Sequence, residues 1–185
     1  MKDKGKLVML FFIGSEAFFF IALIIAYVYY RNFTDATDTV SQYLHEVKIG
    51  GFTSLLVGSS FTLMWSKRSL HRNKLLKFKI GLALTILMGI IFMYGQIKEY
   101  IDLYKKQMTI SKDIFGSIFF TLTGFHSLHV IIGLIGLSIL FGLSFTKFKL
   151  LNGPAMRGME IYWHFVDVVW LFVFFYVYIT PLLWT

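Results

Sequence analysis

The stretch IYWHFVDVVWLFVFFYVYITPLLW, residues Ile161 to Trp184, decides the fold. It is long and apolar enough to cross a bilayer, yet Glu160, His164 and Asp167 fall on one helical face at its start. A titratable group in hydrocarbon costs several kcal/mol unless it finds a partner or water, so such residues point to function or to partner binding. The pattern recurs: Glu16 sits inside the apolar run Leu7 to Tyr30, and His126 and His129 sit inside Ile114 to Thr146.

Composition agrees with a membrane protein. Hydrophobic residues make up 57% of the chain and charged residues only 15%, against about 25% charged in soluble domains. Mean hydropathy is +0.69. Aromatic residues reach 19%, including 21 Phe, and such rings suit lipid-facing surfaces and interfacial belts. With no cysteine in the chain, disulfides, thiolate metal sites, iron-sulfur clusters and covalently attached haem c are excluded. A net charge of +8 invites a nucleic-acid reading, but the basic residues are confined to short loops between apolar runs. Membrane orientation explains them better, and no nucleic-acid partner is expected.

Hydropathy predicts an all-α bundle of five transmembrane helices, at about 7–30, 49–66, 80–97, 114–146 and 161–184, in a single membrane domain spanning 1–185. Each approaches the ~18 to 20 residues that a hydrocarbon core requires; Gly, Ser and Thr dilute the second. Lys2, Lys4 and Lys6 precede the first run as in a signal peptide, but the long apolar run without a small-residue cleavage site argues for a retained helix. Twelve of the 18 Lys and Arg fall in the N-terminal tail and the loops after the second and fourth spans, against six in the remaining loops. By the positive-inside rule this predicts an inner N-terminus and an outer C-terminus.

Small residues recur every four positions: Gly50, Ser54, Gly58 and Thr62; Gly81, Thr85 and Gly89; Ser138, Gly142 and Thr146. Such stripes let helix backbones approach closely where lipid is as apolar as Leu, and they predict a tight bundle without a soluble domain. No internal repeat is visible, which counts against a transporter built from inverted halves.

His126 and His129, three residues apart, share a helix face. They could bind a metal or clamp a haem, given further ligands at the same depth, or they could hydrogen-bond to neighbouring helices. His164 and Asp167 lie near the inner end of the last span, while the histidine pair falls on the outer half of a helix running the other way, so one shared four-ligand site is unfavourable. Glu16 is expected near the membrane middle, about 14 Å along its span. A carboxyl there can be a structural hydrogen-bonding group or can pass protons where water reaches it. Glu160, at the interface, is expected to face water.

Three segments carry a family resemblance. LTGFHSLHVIIGL (Leu122 to Leu134) and YWHFVDVVWLF (Tyr162 to Phe172) resemble the two signature segments of subunit III of the haem-copper terminal oxidases. GSEAFFF (Gly14 to Phe20) resembles that family's membrane-embedded glutamate motif. Their order and spacing agree over almost the whole chain. The longer members have seven helices, and this chain resembles the short form, which lacks the first two. By motif match, Glu16 is similar to the family's buried carboxylate, His126 and His129 to its paired histidines, and His164 and Asp167 to its final-helix pair. Ser127 stands where the family usually has Gly, and Arg157 stands two turns before His164, where a glutamate is common; no family role is carried over to Glu160.

The resemblance implies a non-redox auxiliary subunit of a proton-pumping respiratory cytochrome c oxidase, without a catalytic, cofactor or metal site of its own. It implies haem and copper in a partner catalytic subunit I packed against this chain, a subunit II, and bound phospholipid. It also implies stabilisation of the catalytic subunit during turnover and support of proton uptake, in what is expected to be a bacterial plasma membrane. Quinol oxidases and nitric oxide reductases have similar subunits. From other classes, the chain could be an independent proton channel or transporter using Glu16, or a membrane metalloenzyme.

Overall fold

The computed structural model describes residues 2–33, 46–105, 114–146 and 154–180. The described chain is helical apart from one tight turn: α1 (Lys2–Phe33), α2 (Glu46–His71), α3 (Leu75–Lys105), α4 (Ile114–Thr146) and α5 (Pro154–Phe174), which continues into a π-helical turn (Phe175–Ile179). Among the described residues four segments are long and apolar enough to cross a membrane, namely Leu7–Arg31, Leu75–Lys105, Gly116–Thr146 and Ala155–Ile179. The small and polar residues of α2, Gly50, Gly51, Ser54, Gly58, Ser59, Ser60 and Thr62 among them, keep it out of that group.

The helices run beyond most of the apolar stretches. The fourth expected span coincides with α4, whereas α3 extends past its apolar run at both ends and α5 begins at Pro154 rather than Ile161. Proline suits a first helical position because its missing N–H is unpaired there in any case. The polar residues Arg157 and Glu160 of that first stretch hide it from a hydropathy reading. The last expected residues, 181–184, lie outside the described residues.

α2 and α3 form a closely packed hairpin, while α4 touches α1, α3 and α5, and α5 touches α1, α2 and α4. The hairpin turn ends α2 by a Schellman arrangement. The Lys74 N–H donates to the Ser69 carbonyl at 2.9 Å and the Asn73 N–H to the Leu70 carbonyl at 3.0 Å. Asn73 supplies the left-handed residue that this motif needs, with φ of 54°, and Asn tolerates that conformation better than most side chains.

The interior is aromatic. Trp163, Trp170, Phe78 and Phe92 are fully buried, and large apolar side chains such as Phe11, Phe18, Leu76 and Tyr94 point outward, the inverse of a soluble surface and suited to lipid.

The small-residue stripes hold in part at the hairpin, through Thr62, Gly81 and Thr85, and fail at Gly50 and Ser54 and on α4. A Cβ on Gly81 would come within 2.8 Å of Ser66, and Thr62 and Thr85 share a 2.8 Å hydrogen bond across α2 and α3. Gly142, in contrast, has nothing within 4 Å of a Cβ position, and Ser138 and Thr146 are exposed. The close approaches on α4 are made by Gly133, against the Trp163 ring at 2.8 Å, and by Gly136, against Met159 at 2.5 Å.

Trp163 is pinned and cannot yield, so Gly133→Val should destabilise the bundle by about 1–3 kcal/mol through overpacking. Gly142→Ala should leave stability unchanged or slightly raised, since Ala is the better helix former. Thermal denaturation of the detergent-solubilised protein checks this; equal losses for the two variants would contradict the packing.

Candidate functional site

α4 and α5 run antiparallel in a register read from three contacts: Gly136 against Met159, Gly133 against Trp163, and the Tyr162 hydroxyl donating to the His129 carbonyl at 3.1 Å. One turn further, the His126 ring lies 4.8 Å from the Trp170 ring. The histidines of α4 therefore sit level with residues 162 to 170 of α5, and so with His164 and Asp167. This corrects the expected difference in depth. The cause is the early start of α5: His164 lies ten residues past Pro154, about 15 Å along the helix, and His129 is midway along α4.

Although level, the two pairs face different neighbours. His164 and Asp167 turn to α2, where the Ser60 hydroxyl meets both: Ser60 Oγ is 2.7 Å from His164 Nδ1 and donates to Asp167 Oδ2. A hydroxyl carries one proton, so with Asp167 accepting, the Ser60 oxygen accepts from His164 Nδ1–H. Trp163 Nε1 donates to Ser59 Oγ at 2.9 Å, and Trp170 Nε1 to Thr53 Oγ1 at 3.0 Å. The donors on α5 and the acceptors on α2 each repeat at about seven residues, so the two helices are joined by a polar seam of indole, imidazole and carboxyl groups on hydroxyls. Asp167 is 5% exposed and its Oδ1 has no partner in the structure.

His129 turns to α1. Its Nε2 lies 3.2 Å from Glu16 Oε2, and its Nδ1 lies 2.8 Å from the Phe125 carbonyl. A carbonyl can only accept, so Nδ1 donates to it. A single proton then remains for the Nε2–Glu16 contact, and it resides on either partner: the arrangement is an ion pair or a neutral acid donating to a neutral imidazole. Glu16 lies fourteen residues past Lys2, where α1 begins, and nine past Leu7, where its apolar span begins. The Phe20 ring, 5.1 Å from that of His129, covers the pair from one side.

His126 departs from the expectation that the histidines hydrogen-bond to neighbouring helices. It is fully buried in a box of Phe20, Phe92 and Trp170, and neither ring nitrogen has a partner in the structure. Glu160 also differs from its expected position facing water: it forms an ion pair with Lys67 of α2, with 13% of its side chain exposed. Arg157 is exposed.

A further polar set, not singled out from the sequence, lies where α1, α3 and α5 end. Arg31 is 9% exposed and donates to Thr180 Oγ1 at 2.5 Å and to the Tyr176 carbonyl at 3.4 Å, in the π-helical turn. Tyr178 donates to Glu99 at 2.8 Å. Arg31 and Glu99 flank apolar runs and read as loop residues; their burial follows from α1 and α3 continuing as helices. Ser60 was equally hidden, since its partners lie more than a hundred residues away.

Among the described residues no group of three or more His, Cys, Asp or Glu side chains is placed to hold a metal ion. Of the three histidines in the motif segments, His129 is engaged at both nitrogens, His164 is turned to Ser60, and His126 is enclosed by aromatic rings.

A helical bundle with lipid-compatible outer faces and polar groups paired across its helices defines an integral membrane protein. The family model for cytochrome c oxidase subunit III matches residues 2–182. Curated relatives carrying the name cytochrome c oxidase subunit 3 include one from Corynebacterium diphtheriae, 33% identical over 171 residues, covering 90% of this chain and 83% of the relative. The protein from Rhipicephalus sanguineus is 35% identical over 187 residues, covering 94% and 69%. That from Synechocystis sp. is 34% identical over 171 residues, covering 91% and 72%. The chain belongs to the cytochrome c oxidase subunit III family, and so to the subunits of a membrane oxidoreductase complex.

The Glu16–His129 contact generates a prediction. Glu16→Gln preserves a hydrogen-bonding group beside Nε2 and should hold stability within about 1 kcal/mol. Glu16→Ala leaves Nε2 without its partner and should cost about 1–3 kcal/mol. Melting temperatures in one detergent distinguish the two, and an Ala variant as stable as the Gln variant would show that the contact contributes nothing.

Proposed function

We propose that this chain is a non-redox auxiliary subunit of a proton-pumping respiratory cytochrome c oxidase, packed directly against the catalytic subunit I and assembled with subunit II. Haem and copper belong to the partner subunits. The observation that carries this reading is the convergence of the three motif segments at one level of the bundle. Glu16 meets His129 there, and His164 and Asp167 meet Ser60. Groups held in this way by other helices of the same chain suit a scaffold better than a redox centre.

In this role the α2–α5 seam keeps the subunit rigid beside its partner during turnover, and the outward apolar side chains of α1, including Phe11 and Phe18, meet lipid or the catalytic subunit. The Glu16–His129 pair joins two titratable groups across two helices, which suits support of proton uptake. The distribution of Lys and Arg supports an inner N-terminus and an outer C-terminus, with all five helices spanning a bacterial plasma membrane as a single membrane domain. α2 crosses by virtue of the seam, which covers its polar face. The same geometry serves the subunit III of a quinol oxidase or a nitric oxide reductase-associated homologue, because these groups pair with one another inside the chain.

Purification in mild detergent followed by a redox difference spectrum tests the proposal. The chain should migrate with haem-containing subunits, identified by mass spectrometry. Recovery as a haem-free homo-oligomer that conducts protons in vesicles would replace this reading with that of an independent channel using Glu16.

A further inference from the structure

On α3, Phe92, Gln96 and Tyr100 recur every four residues and so share one face. The Phe92 ring lies 6.2 Å from the His126 ring, and the Tyr100 hydroxyl donates to Thr123 Oγ1 at 2.7 Å. Further back, a Cβ on Gly89 would come within 2.8 Å of Leu134. α3 and α4 are therefore antiparallel, and Gln96, one turn from both Phe92 and Tyr100, stands opposite the stretch of α4 from Thr123 to Ser127. Gln96 is 3% exposed and its Oε1 has no partner, while Ser127 is 9% exposed and its Oγ has none. With the two ring nitrogens of the fully buried His126, polar atoms on two facing helices are withdrawn from solvent at one level.

These atoms complement one another chemically. The Gln96 oxygen accepts, an imidazole offers a ring N–H, and a hydroxyl does either, yet none reaches another within hydrogen-bonding distance. Burying such groups unmatched is costly, the more so where lipid offers no hydrogen bonds. The space between them is set by Gly124. A Cβ there would meet one atom within 4 Å, the Tyr100 hydroxyl oxygen at 3.8 Å, whereas at Gly89 and Gly133 it would come within 2.8 Å of a side chain. The packing around α4 is thus tight at Gly133 and loosens at Gly124, leaving room for a group about the size of a methyl.

We infer that a buried water molecule occupies this opening beside Gly124 and bridges Gln96 Oε1 to His126 and Ser127. Water is the ligand that this chemistry selects. It is small enough for the gap, it donates to the Gln96 oxygen, and it donates to or accepts from an imidazole or a hydroxyl. A buried water makes about three hydrogen bonds to groups that have no other partner, and three residues supply them here. Around Gly89 and Phe92, α3 meets α4 through apolar and ring packing; the water adds a polar joint between the two helices at the level of the motif segments. None of its partners belongs to the Glu16–His129 pair or to the Ser60 contact, so the inference stands independently of the role proposed above.

Cryo-electron microscopy of the protein, purified with the chains that accompany it and taken to a resolution that shows ordered waters, provides the test. A density peak should lie within hydrogen-bonding distance of both Gln96 Oε1 and a His126 ring nitrogen. A map without that peak would overturn the inference, as would a direct hydrogen bond between Gln96 and His126 that leaves no place for it. Gly124→Ala gives a second reading, because its methyl group enters the same opening. Ala is the better helix former, so with no water to displace the substitution should leave the melting temperature unchanged or slightly raised, as for Gly142→Ala. Loss of the bridging water should instead lower the melting temperature by about 2–12 °C and remove the peak. An alanine variant at least as stable as the wild type would overturn the inference; should that variant fail to fold, the map of the wild-type protein carries the test.

Discussion

Polar side chains in a membrane bundle must find one another, because lipid offers no hydrogen bonds. This constraint organises the α2–α5 interface, on which the rest of the arrangement depends. Ser59, Ser60 and Thr53 would be poor residues for a lipid-facing helix, and Trp163, His164, Asp167 and Trp170 carry donors and acceptors that hydrocarbon cannot satisfy. Facing each other, the two sets resolve both problems. The seam also fixes the height of α5, and with it the level at which Tyr162 meets the His129 carbonyl and Trp170 meets the His126 ring.

From that register the second polar contact follows. Once α4 is held by Trp163 packing against Gly133, His129 is presented to α1, and Glu16 is the acid at the matching height. Glu16 and His129 are thus positioned by helices that neither belongs to. The unpartnered nitrogens of His126, whose ring meets Trp170, and the unpartnered Oδ1 of Asp167, one turn before Trp170, lie on the same level. The bundle therefore gathers the polar groups of its motif segments at one level, while a second polar set, Arg31 with Thr180 and Glu99 with Tyr178, lies where α1, α3 and α5 end.

Much of this was legible in the sequence. The all-helical class, the bounds of α4 and the residues that break apolar runs all follow from hydropathy, because a charged or imidazole group inside an apolar stretch is a strong local signal. The three motif segments were enough to indicate the family. What could not be read is pairing between distant elements. Ser60 is an ordinary residue until α5 is laid against it. Glu160 seemed free to face water until Lys67 was brought alongside by the same packing. Gly142 and Gly133 are alike in composition and spacing, but only Gly133 faces a tryptophan. The depth of His164 depended on where α5 begins, and the polar first two turns of that helix give no hydropathy signal.

The central claim, that the Ser60–His164–Asp167 contact couples α2 to α5, is tested most directly by a double-mutant cycle on reversible unfolding in mixed micelles. Ser60→Ala and Asp167→Asn should each destabilise the protein, and the double variant should cost less than the two losses combined, by about 0.5–3 kcal/mol as for residues in one network. Losses that add within about 0.5 kcal/mol would show that the two residues act independently and would contradict the account.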